Sequence, residues 1–275
     1  MADWAFADSS RFAVGGTVAI AGGGTVTGAA ANTKGEWSRI ATTPFDVDVL
    51  TVESQRISSL LVPPDKYALM DIGRGTAGAE QVVISNLPSI NSEGEFGCFQ
   101  YQFPYLINAG ETLSARVQSP RVNSVFSVGF RFQAHGFAHF VSSSRIRTYG
   151  VNTATSKSTE LVFGATNAKG VWAQIAASTT DDICEIVIVA TDHSLSGLNN
   201  NWHLVDVGLG APGSERIIIP DIPIVTYSSN SGISPFLIGP YPINIPAASR
   251  IAMRIQNDGP NVNRQIGFAI IGISR

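Results

Sequence analysis

Apolar and polar residues alternate along most of the chain with the two-residue period of a β-strand. Asp46–Val52 (DVDVLTV) and Ser114–Gln118 (SARVQ) each place apolar side chains on one face and polar side chains on the other. Ala252–Gln256 (AMRIQ) alternates in the same way, and Gln265–Ser274 (QIGFAIIGIS) has the β-branched composition of a closing strand. No dozen-residue window free of Gly and Pro carries a 3.6-residue apolar period. The pattern predicts an all-β fold.

Gly and Pro cluster between these runs, where turns need a positive or a fixed φ. About six to eight short strands per unit of roughly 130 residues, separated by such turns, favour an antiparallel sandwich or jelly roll. A doubly wound α/β fold would need helical crossovers, which the sequence does not supply.

The sequence contains two copies of one unit, displaced by 135 residues. Asn32–Ala41 (NTKGEWSRIA) returns as Asn167–Ala176 (NAKGVWAQIA). Leu69–Ile84 (LMDIGRGTAGAEQVVI) returns as Leu204–Ile219 (LVDVGLGAPGSERIII). So many Gly, Trp and charged matches in one order indicate a duplicated domain.

Later matches need a displacement of 138 residues, which implies a slightly longer loop in the second copy. Arg116–Gln118 (RVQ) then matches Arg254–Gln256 (RIQ). Each unit is large enough to bury its own core. We therefore expect two tandem homologous antiparallel β-sandwich, jelly-roll-like domains, with the polar segment Thr148–Thr159 as loop or linker. The expected bounds are an N-terminal arm at 1–8, a first repeat at 9–138 and a second repeat at 139–275.

Composition narrows the classes of partner. Charged residues make up 14% of the chain, against about 25% in an ordinary soluble domain. So much uncharged surface suits a protein that is partly covered by partner subunits. The net charge of −3 offers no basic footprint for nucleic acid, and no apolar stretch is long enough to span a bilayer. With only two cysteines a disulfide framework is not expected.

A carboxylate pair flanks a glycine-rich turn in each copy, in the pattern D-x-G-x-G-x-x-G-x-E. The pairs are Asp71 with Glu80 and Asp206 with Glu215. We expect a tight strand–turn–strand corner in which the acids bond loop amides. A calcium site is the weaker alternative, because calcium usually takes more oxygen ligands than two carboxylates provide. We expect no cofactor.

An arginine and a glutamine lie two residues apart on matched strands, so that each pair shares a face. The pairs are Arg116 with Gln118 and Arg254 with Gln256. They are candidates for a glycan or partner surface. The alternative is a solvated strand face on which each arginine pairs with the glutamate of its repeat.

Four aromatic residues are candidates for contacts. Trp37 and Trp172 each follow Lys-Gly-x and precede an alternating apolar pattern, which favours a core or domain-edge anchor over a sugar-stacking ring. Trp4 and Phe6 lie in the N-terminal arm, from which they could reach a neighbouring subunit.

Catalytic patterns are missing from the sequence. His135 and His139 have an i, i+4 spacing, but this makes a metal pair only on a helix, and Gly136 lies between them. There is no H-E-x-x-H, G-x-S-x-G or C-x-x-C motif. A polysaccharide depolymerase would need a carboxylate pair in a cleft, and the repeated glutamates lie in turns. We expect a protein that is not an enzyme.

The repeated pattern resembles β-sandwich proteins encoded among the virion genes of tailed bacteriophages. It reads G-x-W-x-x-I, then D-I/V-G-x-G-x-x-G-x-E, then P-x-x-I-x-A-G and R-V/I-Q, and it covers nearly all of the chain, once per copy. The second copy departs from it where Pro246–Ala248 replaces Ala109-Gly110. The resemblance implies a structural role, as a head decoration or cement protein. Its alternative is a tail, baseplate or fibre component that binds a host surface glycan.

The resemblance also implies where the protein works and with what. The expected partners are the major capsid protein or other virion proteins, with no nucleic acid and no membrane. A homo-oligomer is expected, with a trimer favoured because it suits three-fold sites on a shell. The expected location is the virion, assembled in the host cytoplasm.

Overall fold

A computed structural model describes residues 11–15, 24–56, 67–90, 99–122, 124–134, 145–192, 201–226, 236–259 and 265–274. All regular secondary structure in these ranges is β-strand, and neighbouring strands are mostly antiparallel. The prediction of an all-β chain with antiparallel sheets is confirmed. Within the same ranges no helix is long and apolar enough to cross a membrane.

The first repeat comprises, in its described part, nine strands. They are β1 (Arg11–Gly15), β2 (Gly24–Thr27), β3 (Ser38–Thr42), β4 (Val47–Arg56), β5 (Tyr67–Arg74), β6 (Gln81–Ile90), β7 (Phe99–Ile107), β8 (Thr112–Gln118) and β9 (Val125–Ala134).

The second repeat comprises ten strands in its described part. They are β10 (Arg145–Tyr149), β11 (Val151–Asn152), β12 (Lys157–Val162), β13 (Ala173–Ala176), β14 (Ile183–Asp192), β15 (Asn201–Leu209), β16 (Arg216–Thr226), β17 (Phe236–Ile245), β18 (Ile251–Asn257) and β19 (Gln265–Ser274).

The two repeats have the same sheet order. In the first, β1 and β2 both pair with β9, followed by β4 and β7, and the facing sheet runs β3-β8-β5-β6. In the second, β10 and β12 both pair with β19, followed by β14 and β17, and the facing sheet runs β13-β18-β15-β16. Two four-stranded sheets in this order, with the first strand split, form a jelly roll.

Alternate residues of the strands fill the space between the sheets. In the first repeat the largest buried side chains are aromatic, and they come from β7 and β9: Phe103, Phe126, Phe130 and Phe132. In the second repeat most of the core is isoleucine, with Phe268 on β19 in the place of Phe130. The strand period seen in the sequence therefore separates core from surface in both copies.

One sheet continues from the first repeat into the second. Strand β10 pairs in parallel with β6, with Ile146 opposite Ile84 and Arg147 opposite Ser85. This short contact joins the β3-β8-β5-β6 sheet of the first repeat to the β19 sheet of the second, and the result is a ten-stranded sheet. The repeats are thus locked by backbone pairing as well as by side chains.

The segment expected to be a linker takes part in this junction. Tyr149 ends β10, and β11 and β12 occupy much of Thr148–Thr159, so the loop prediction is wrong. The Gln118 side-chain amide donates to the Thr153 carbonyl, and the Ser156 hydroxyl donates to Asn32 Oδ1 at 2.8 Å. Part of this polar segment therefore bonds polar groups of the first repeat, while residues 152–155 are exposed.

Strand β19 is buried on both faces. Ile266, Phe268 and Ile270 enter the core of the second repeat. Ala269, Ile271 and Ile273 face the other way and belong to the hydrophobic cluster of the first repeat, as do Val187 and Val189 of β14. This double burial explains why Gln265–Ser274 reads as an almost continuous apolar run. The matched places on β9 carry Arg131 and Gln133 instead of Ala269 and Ile271.

We expect Ile271→Gln to lower the free energy of unfolding by about 2 kcal/mol, because it buries an amide in the apolar contact between the repeats. Urea unfolding followed by circular dichroism measures the loss. The reverse change at the matched place, Gln133→Ile, lies on a half-buried surface and is expected to alter stability by less than about 0.5 kcal/mol. Equal effects of the two changes would contradict this account of the junction.

Candidate interaction sites

A buried carboxylate on β5 is held between two cations. Asp71 Oδ1 accepts hydrogen bonds from Lys34 Nζ at 2.8 Å and from the backbone N–H of Asn86 at 2.9 Å. Asp71 Oδ2 accepts from Arg116 Nε at 2.9 Å. Both oxygens are therefore engaged by charged or backbone donors, which is what a buried carboxylate needs.

The second repeat reproduces this network atom for atom. Asp206 Oδ1 accepts from Lys169 Nζ at 2.7 Å and from the Asp221 amide at 2.9 Å, and Asp206 Oδ2 accepts from Arg254 Nε at 2.8 Å. Burial raises the pKa of Asp206, but the Asp221 amide, Lys169 and Arg254 outweigh it, so the pKa lies below its ordinary value of 3.8. Asp206 is thus a charged structural centre.

Each arginine of the network covers a tryptophan. The Arg116 guanidinium lies 4.4 Å from the ring centroid of Trp37, and that of Arg254 lies 4.6 Å from Trp172. A Cβ atom on Gly208 would come within 2.8 Å of the Trp172 ring, so the indole packs directly on the glycine backbone. Gly73 makes the same contact with Trp37. The half-buried rings therefore anchor the loop before β3 or β13 to the sheet.

The glutamates of the glycine-rich turn close the turn itself. Glu80 Oε2 accepts from the Gly78 amide, and Glu215 Oε2 accepts from the Gly213 amide, each at 2.9 Å. Glu215 also pairs with Arg250 at 2.9 Å. Nowhere in the described ranges do three His, Cys, Asp or Glu side chains group as metal ligands do.

The arginines pair with the aspartates and not, as the sequence suggested, with the glutamates. Arg116 stands directly opposite Asp71 in the β8–β5 register, and Arg254 stands opposite Asp206 in the β18–β15 register. Directly opposed residues are the closest side-chain pairs on a sheet face, so the aspartate is the nearer partner. Sequence reasoning also missed Lys34 and Lys169, although their identical place in the repeated Lys-Gly-x-Trp segment was the available signal.

The glutamines of the candidate strand faces differ in their surroundings. Gln118 is buried at the junction of the repeats, where it bonds Thr153. Gln256 is half-buried, and its backbone bridges to Lys169. Trp4, Phe6, His135 and His139 lie outside the described residues.

An arginine-lined cleft of about 420 Å³ lies where the two repeats meet. Its walls include Arg74 of β5 together with Arg145 and Arg147 of β10. Arg145 and Arg147 both pair with Asp181 at 2.8 Å, and Arg74 lies 3.5 Å from Glu111. These three guanidinium groups pair with two carboxylates, so the net charge of this set of side chains is positive. Arginine side chains are well suited to bind carboxylate or phosphate groups.

No protein-family model matches the sequence, and a search of curated proteins finds no relative. Among solved structures, the chain is similar to one from Sulfolobus turreted icosahedral virus, with 8% identity, a TM-score of 0.40, and coverage of 96% of this chain and 90% of the other. It is similar to a chain from the structure of infectious bursal disease virus Gx strain, with 8% identity, a TM-score of 0.26, and coverage of 96% of this chain and 72% of the other. It is also similar to N-glycanase F, with 10% identity, a TM-score of 0.32, and 96% coverage of each chain. These similarities are too distant to support the fold assignment. The jelly-roll assignment rests on the strand pairing of the chain itself.

Proposed function

We propose that the chain is a structural protein of a virus particle, of the tailed-bacteriophage kind, and that it decorates and stabilises the head. The observation that carries this proposal is the continuous ten-stranded sheet, which joins two complete jelly rolls into one stiff block. A protein that stabilises a shell by binding across it benefits from such rigidity, because ordering a flexible linker on binding would reduce the binding free energy. We propose that the chain has no catalytic role.

The free edge of the second repeat supports a role in crowded arrays. Within the described strands, β16 pairs only with β15, so its other edge is open, whereas β10 covers the matched edge of β6. Pro220 stands at the place that Ser85 holds in β6, and proline has no N–H to offer to a further strand. The edge is thereby blunted against strand addition, which matters for a protein packed in many copies.

The partners we propose are the major capsid protein or other virion proteins, and further copies of the chain itself. The low content of charged residues, 14%, leaves broad polar but uncharged surface for such contacts. Assembly is proposed to take place in the host cytoplasm, with the finished protein in the virion. Many copies on a symmetric particle would convert weak contacts into firm attachment.

Antibody-gold labelling of intact virus particles, viewed by electron microscopy, tests the proposal. We expect label over the heads, because a decoration protein is exposed on the outer shell. Particles that lack the gene for the chain serve as the control for antibody specificity. Particles that carry the gene, express the protein and yet bind no label would overturn the virion role.

A tail, baseplate or fibre protein that binds a host surface glycan is the second candidate. The arginine-lined cleft between the repeats favours it, because a positive cleft of about 420 Å³ suits an acidic sugar. Gold label confined to tails would select this candidate over head decoration.

A further inference from the structure

The same sheet face is covered in the first repeat and uncovered in the second. Leu69 on β5 is 1% exposed, and Pro88 of β6 is buried beside it. At the matched places Leu204 is half-buried and Pro223 is exposed. The deeper network does not differ, since Asp71 and Asp206 are equally buried. The difference is therefore confined to one surface, and it is not a change in the fold.

The cover in the first repeat comes from the second repeat. The segment between β11 and β12 lies over this face, where Gln118 donates to the Thr153 carbonyl and Ser156 donates to Asn32. Leu69 belongs to neither hydrophobic core, and in the β5–β8 register it stands opposite Gln118, the residue that bonds this segment.

What remains uncovered is an apolar group centred on a tryptophan. Trp202 stands opposite Val225, and Leu204 stands opposite Pro223, so the four side chains share one face of the β15–β16 pair. Trp202 is 60% exposed. We call these four residues the Trp202 patch. An exposed aromatic among aliphatic residues, with charged Asp221 at its border, has the composition of an interface centre.

A second copy that repeated the contact within the chain would bring mismatched groups together. Besides the segment between β11 and β12, the contact between the repeats uses Ala269 and Ile271, and the first repeat presents Arg131 and Gln133 in their places. Pro220 also removes the backbone donor that Ser85 holds where β10 joins β6. A head-to-tail array of chains built on this contact would therefore lack these apolar side chains and this backbone donor, which disfavours it.

We propose that the Trp202 patch is the contact between two copies of this chain, related by a two-fold axis and meeting patch to patch. The patch is the counterpart, on the second repeat, of the surface that already serves as an interface on the first. An isologous contact needs only one self-complementary surface, which an apolar patch provides. The inference concerns the isolated protein, so it can fail independently of the proposed virion role.

The test is the mass of the full chain in solution, measured by light scattering during size-exclusion chromatography, for the wild type and for Trp202→Glu. We expect the wild type at an even multiple of 29.1 kDa and the variant at half that mass. Loss of a central interface tryptophan is expected to weaken association roughly 30-fold or more. The control is Val122→Glu, which places the same charge at a 54% exposed valine of the first repeat and should leave the mass unchanged.

Circular dichroism establishes that both variants are folded, so that a change of mass reports on association. A Trp202→Phe protein, which keeps an apolar ring, should remain associated. A wild-type protein of 29.1 kDa, or an oligomer whose mass Trp202→Glu does not change, would overturn the proposal. A trimer that falls directly to monomers would also overturn it, because a three-fold contact is not patch to patch.

Discussion

Replacing Asp206 by alanine is expected to lower the free energy of unfolding by about 3 kcal/mol, because it leaves two cations facing each other without their shared carboxylate. Lys169 and Arg254 both lie within 2.8 Å of Asp206 and are mostly covered by protein. Lys169 keeps a second partner in Asp221, whereas among the described residues Arg254 would keep the face of Trp172 alone. Equilibrium unfolding in urea at pH 7 measures the loss.

The first repeat supplies a matched control for this prediction. Asn86 occupies in the first network the place of Asp221 in the second, and both residues have a positive φ. Asp221→Asn therefore copies a natural arrangement, and we expect it to change stability by less than about 1 kcal/mol, since the Asp221 carboxylate is exposed. If Asp206→Ala costs no more than Asp221→Asn, the network is not a structural centre.

Much of the fold follows from two features of the sequence. The two-residue alternation identifies strands because one face of each is buried in a sandwich, as at Ala252–Gln256. The internal repeat then predicts that the two copies form the same pair of sheets. Matched residues bear this out, since Gly73 and Gly208 each pack directly against the tryptophan of their own repeat. Neither inference depends on contacts between distant parts of the chain.

The junction of the repeats could not be predicted in this way. Pairing of β10 with β6 joins strands about 60 residues apart in sequence, and local pattern carries no information on such partners. The unbroken apolar run of β19 was the available signal, because a strand buried on both faces loses its alternation. The pairing of Arg116 with Asp71 was missed for the same reason, since it depends on cross-strand register.

The two copies keep one interior and differ on their outer surfaces. Where the second repeat must pack on the first, Ala269 and Ile271 replace Arg131 and Gln133. Where the first repeat accepts a strand at Ser85, the second carries Pro220. The copies thus carry different side chains where they meet, and the Trp202 patch is exposed where the matched Leu69 and Pro88 of the first repeat are buried.

The second large effect is expected from His203, which has no counterpart in the first repeat, where Ala68 takes its place. His203 is fully buried on β15, and its ring stacks on Phe163 with centroids 4.9 Å apart. Burial lowers the pKa of His203 from 6.5 to about 4, and the negative charge of Asp258 opposes the shift only in part. The folded protein therefore holds the imidazole neutral at pH 7.

Because the unfolded chain binds this proton near pH 6.5 and the folded chain only near pH 4, stability falls as the pH drops through that interval. The contribution of His203 amounts to about 3 kcal/mol lost between pH 7 and pH 4. His203→Phe keeps an aromatic ring that does not titrate, so urea unfolding at pH 7, 5.5 and 4 should show the variant losing about 3 kcal/mol less than the wild type. The stabilisation that Asp206 provides is lost only below about pH 4, since its pKa lies under 3.8, and so it does not obscure the comparison. Parallel pH profiles of wild type and variant would show that His203 is already protonated, or solvated, in the folded protein.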